Sequence, residues 1–100
     1  MDMRFEINKP REGVVSIARK IGYTPQRAAG PNEVSLIRPL ERGGYPRFHL
    51  YVKELEKALL FNLHLDQKRP IYAGTSAHGG EYEGEVVEAE AARIKSTLTQ

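Results

Sequence analysis

A chain of 100 residues with no cysteine can bury one modest core, and it cannot rely on disulfides or thiolate metal sites. Its formal charge of +2 is small, and no apolar run approaches the length of a membrane span. The opening residues, Met-Asp-Met-Arg-Phe-Glu, are charged and alternating instead of apolar, which argues against a signal peptide and for a cytoplasmic protein with no membrane partner.

Met3, Phe5 and Ile7 alternate with Arg4 and Glu6, the period of a half-buried strand. Pro10 suits a first helical position. Val14, Ile17, Ala18 and Ile21 then recur at helical spacing, and Gly22 is placed to cap the end, so a helix is expected over 10–21. Residues 24–32, with Pro25, Gly30 and Pro31, read as a loop. Residues 33–38 read as a second strand, and 39–46 as a long turn rich in glycine and proline.

The clearest pattern spans residues 46–66. Arg47 to Lys53 alternates strictly, and so does Leu59 to Asp66. A hairpin turning through 54–57 would pair Lys53 with Ala58. It would gather Phe48, Leu50, Val52, Leu59, Phe61, Leu63 and Leu65 on one buried face, at about 1.5–3 kcal/mol per side chain. The opposite face then carries Arg47, His49, Tyr51 and Lys53 beside Leu60, Asn62, His64 and Asp66. In this register His49 lies opposite Asn62 and diagonal to His64.

Residues 67–84 contain four glycines and one proline and read as a long loop. A final helix is expected over 84–98, with Val87, Ala91, Ile94 and Leu98 on one face. The order β-α-β-β-β-α predicts a single α+β domain over 1–100. It is a two-layer sandwich in which a mostly antiparallel sheet of three or four strands carries both helices on one face. The run Ile17 to Tyr23, three strands and a helix resembles, in topology, the double-stranded-RNA-binding-like fold of some small toxins. Strand 33–38 has no histidine, so no functional residue carries over from them.

Three kinds of function fit the polar face. The first is nucleic-acid binding, to RNA or DNA. Arg47, Lys53 and Arg42 would meet phosphates, and Tyr51 and Tyr45 would stack bases. The uneven charge is consistent with this: residues 1–50 hold nine Lys/Arg against five Asp/Glu, and residues 51–100 hold six against eight. The second is a small hydrolase or nuclease. His49 and His64 would act as a proton-transferring pair, or His64, Asp66, His78 and Glu81 would bind a divalent metal, a cofactor the spacing permits without favouring. The third is a protein-interaction module built on the apolar patch around Leu60. A strand edge at 3–7 or 33–38 is a candidate for pairing with a second copy.

Overall fold

The computed structural model describes residues 2–67 and 79–99. Five strands, β1 (Asp2–Asn8), β2 (Thr24–Gly30), β3 (Glu33–Pro39), β4 (Arg47–Glu54) and β5 (Ala58–Asp66), form one sheet in the order β1-β5-β4-β3-β2. Every neighbouring pair is antiparallel. Two helices, α1 (Val14–Ile21) and α2 (Gly79–Leu98), complete the α+β fold. No helix among the described residues is long and apolar enough to cross a membrane.

One sheet face and the helices share the core. Phe48, Leu50 and Val52 from β4 and Leu59, Phe61 and Leu63 from β5 are buried as their alternation predicts, with Leu65 packed at the margin. Phe5 and Ile7 of β1 and Leu36 of β3 extend this layer, and Ile17, Ala18, Ile21, Val87, Ala91 and Ile94 cover it from the helices. Phe5 stacks on Phe61 with ring centroids 5.0 Å apart.

Several expectations are corrected. The helix begins at Val14, not Pro10, because Gly13 is extended and its carbonyl accepts the first helical bond, from Ile17 N–H at 3.1 Å. Gly22 ends it in the left-handed conformation, φ 83°. The N–H of Tyr23 reaches back to the Ala18 carbonyl at 2.8 Å, which fixes the exit of the chain.

Residues 24–30, expected to be a loop, are the edge strand β2, so four strands, not three, separate the helices. Its residues are all exposed, and an exposed edge strand has no apolar alternation to betray it. Two register shifts interrupt its pairing with β3, leaving Gln26 and Ala29 as extra residues. Strand 33–39 lies between β2 and β4 and is not an edge; β1 and β2 are the edges. Of the expected 67–84 loop, residues 68–78 lie outside the described residues, and residues 79–84 belong to α2.

The central hairpin keeps its two faces but changes its register. Lys53 pairs with Leu60 and Arg47 with Asp66. Leu55 N–H donates to the Ala58 carbonyl at 2.9 Å, so the turn tip is only Glu56-Lys57. The expected four-residue turn is thus two residues too long. A shift of two leaves every side chain on its face, but it brings His49 directly opposite His64.

α2 is anchored through one buried carboxylate. Glu90, 5% exposed, accepts from Tyr23 Oη at 2.7 Å, from Arg38 at 3.2 Å on both oxygens, and from Arg93 at 2.8 and 2.9 Å. Arg93 also donates to the Ile21 carbonyl at 2.6 Å. Burial alone would raise the Glu90 pKa, but hydrogen bonds from Arg93 and Tyr23 and the charge of Arg38 outweigh it and hold the carboxyl below its ordinary range. Burial and the adjacent Glu90 push the Tyr23 phenol far above its ordinary value.

Candidate metal centre on the open sheet face

The face away from the helices is set by the pleat. Arg47, His49, Tyr51 and Lys53 on β4 stand beside Asp66, His64, Asn62 and Leu60 on β5, in that pairing order. β1 adds Asp2 across from His64, and β3 adds Ser35 across from Tyr51.

Three side chains converge. Nδ1 of His49 lies 3.0 Å from Oδ2 of Asp66, and Nε2 of His64 lies 3.6 Å from Oδ1 of the same carboxylate. One potential ligand atom from each residue falls within 4.8 Å of the other two. Metal–ligand bonds of about 2.0–2.1 Å place neighbouring donors roughly 3.0–3.4 Å apart in octahedral to tetrahedral geometry. The two distances to Asp66 bracket that range. All three residues are half-buried, which keeps water access on one side.

The far nitrogen of each imidazole also faces an acceptor. His49 Nε2 lies 2.6 Å from Ser35 Oγ, and Ser35 Oγ donates its only proton to Gln26 Oε1 at 3.3 Å. His49 Nδ1 faces the Asp66 carboxylate, so a cation held there would take the place of the proton in that contact. His64 Nδ1 faces Asp2 Oδ1 at 3.6 Å. An imidazole whose outer nitrogen is turned to an oxygen is the usual arrangement of a metal-binding histidine.

Arg47 lies at the edge of the trio. Its Nε is 3.5 Å from Asp66 Oδ2 but makes no hydrogen bond among the described residues, where Asn62 Oδ1 is likewise buried without a partner. The Arg47 guanidinium covers the Tyr45 ring at 4.5 Å. Tyr51 stacks on His49, centroids 4.5 Å apart, and His49 meets His64 edge-on at 5.1 Å.

Of the residues singled out in the sequence, the structure brings together His49, His64, Asp66, Arg47 and Tyr51. His78 and the side chain of Glu81 lie outside the described residues. Arg42 stands in the turn before β4, and Lys53 points to solvent opposite Glu33. The aromatic face expected for stacking bases is in part used internally, by Tyr51 on His49 and Tyr45 under Arg47.

Sequence reasoning missed Ser35, Gln26 and Asp2. Gln26 reaches Ser35 because it is a bulged residue, and a bulge re-aims a side chain in this way.

Ser35, His49 and Asp66 also have the connectivity of a serine triad. Ser35 is only 2% exposed, its proton is committed to Gln26, and it sits mid-strand between two paired neighbours. A nucleophile needs access and a nearby oxyanion hole, so the serine orients the imidazole here.

Comparisons with protein-family models, with curated proteins and with solved structures find no match.

Proposed function

We propose that this protein is a divalent-metal-dependent hydrolase of anionic esters, with His49, His64 and Asp66 as its metal ligands. One observation carries the reading: two imidazoles aim at the two oxygens of a single carboxylate while their outer nitrogens face other acceptors. Three protein ligands leave a coordination position for water, as hydrolytic metal sites require. The neighbouring charges favour an anionic substrate. A dication and Arg47 against the carboxylates of Asp66 and Asp2 leave one positive charge at the centre, and the Arg47 guanidinium stands beside it. When bound, the metal lowers the pKa of its water and polarises the ester. The protein holds the ligands in place and presents Asn62 and Arg47 on either side.

The test is calorimetric titration of the full chain, without an affinity tag, with Zn²⁺ and Mn²⁺. This is followed by hydrolysis of p-nitrophenyl phosphate and bis(p-nitrophenyl) phosphate. One ion should bind per chain, His49→Ala should weaken binding at least about 100-fold, and hydrolysis should require the ion. The reading is overturned if neither metal binds with 1:1 stoichiometry, or if the variant binds as the wild type does.

A further inference from the structure

Beside the centre, on the β2 side, lies a concavity of about 300 Å³ lined by Arg27, Ala28, Ala29, Glu33, Ser35 and Tyr51. That volume is at the lower end of the range for small-molecule sites. Two of its walls are shared with the metal centre: Ser35 contacts His49 at 2.6 Å, and Tyr51 stacks on the same imidazole. A ligand in the concavity therefore lies next to the metal position, one or two strand spacings away, or about 5–10 Å.

The lining has a specific chemical character. Arg27 offers a fork of donors and Glu33 a pair of acceptors, and Tyr51 contributes a ring. The bulge at Ala29 takes that residue out of the ladder with β3 beside the cavity. Arginine and glutamate side chains together match the edge of a nucleobase, which presents ring acceptors and amino or imino donors within one plane. An alkyl group would match neither side chain, whereas a planar base can also lie against the Tyr51 ring.

Resting on the hydrolase reading, we infer that the substrate is a nucleoside phosphate, its base held in the Arg27–Glu33–Tyr51 concavity and its phosphate on the metal beside Arg47. This assigns separate jobs to the two halves of the open face. β2 and β3 select the base, and β4 and β5 bind the phosphate.

The experiment measures binding of AMP, GMP, CMP and UMP, and of ribose 5-phosphate as a control without a base, to the metal-loaded protein by calorimetry. At least one nucleotide should bind ten-fold or more tightly than ribose 5-phosphate. Arg27→Ala and Glu33→Ala should each abolish most of that preference while leaving metal affinity and ribose 5-phosphate binding unchanged. Both residues lie outside the core, so folding should survive, which circular dichroism checks. Equal affinity for nucleotides and ribose 5-phosphate, or a preference that persists in both variants, overturns the inference. Failure to bind metal would instead overturn the hydrolase reading, so the two results are distinguishable.

Discussion

Among the described residues, two carboxylates lie inside clusters of hydrogen-bonding side chains, and they are satisfied to very different degrees. Glu90 accepts from Tyr23, Arg38 and Arg93 at 2.7–3.2 Å, so both of its oxygens are filled. Asp66 has one neighbour at 3.0 Å and two more, His64 and Arg47, at 3.6 and 3.5 Å, beyond good hydrogen-bond length. The first cluster joins α2 to α1, the start of β2 and β3, and its parts complete one another. The second gathers potential ligand atoms around an incompletely satisfied carboxylate and, among the described residues, leaves Arg47 Nε and Asn62 Oδ1 without a hydrogen bond. A closed network fits a structural role, and an open one fits the binding of something else.

The comparison makes Glu90 the more sensitive of the two for folding. Glu90→Ala should cost about 2–3 kcal/mol in urea denaturation. Breaking a fully buried pair costs more, but Arg38 and Arg93 are each about a third exposed, and solvent screening reduces the loss. A cost below about 1 kcal/mol would show that the cluster is decorative.

Acid should act on the same group with a smaller effect. Glu90 has a folded-state pKa below its unfolded value of 4.5. Its contribution is therefore complete above about pH 4.5 and is lost as the pH falls through the lower folded-state value. Melting temperatures recorded from pH 6 to pH 2.5 should fall in that window, and the Glu90→Gln variant should fall less steeply. Parallel curves would contradict the assignment.

Asp66→Asn should give the smallest change in the metal-free protein, within about 1 kcal/mol. In the presence of Zn²⁺ at 100 times its Kd, the wild type should gain about 2.7 kcal/mol and the variant almost none. A large metal-free loss would mean that Asp66, like Glu90, is a structural anchor.

Much of the fold could be read from residue order because burial imposes a period. The alternation from Arg47 to Lys53 and from Leu59 to Asp66 marks both faces of the hairpin, and the helical spacing of Ile17, Ala18 and Ile21 marks α1. β2 could not be read this way, because nothing in it is buried. The site was legible only in part. His49, His64 and Asp66 stand out as residue types on one face, but their convergence depends on the strand register. Ser35 looks like any small polar residue within a strand, and its role comes from partners 14 and 9 positions away that only the folded sheet supplies. Asp2 likewise gains its place from β1 pairing with β5.

The two-residue tip at Glu56-Lys57 acts as a ruler. A hairpin closed by a turn two residues longer would bury the same seven apolar side chains and would be hard to distinguish from the native form by its core. It would slide His49 along the neighbouring strand by roughly two residues, about 6–7 Å, and separate it from His64. Such a species would be nearly as well packed but would lack the His49–His64–Asp66 cluster. The geometry of that cluster is therefore set by the length of a solvent-exposed turn that touches neither histidine.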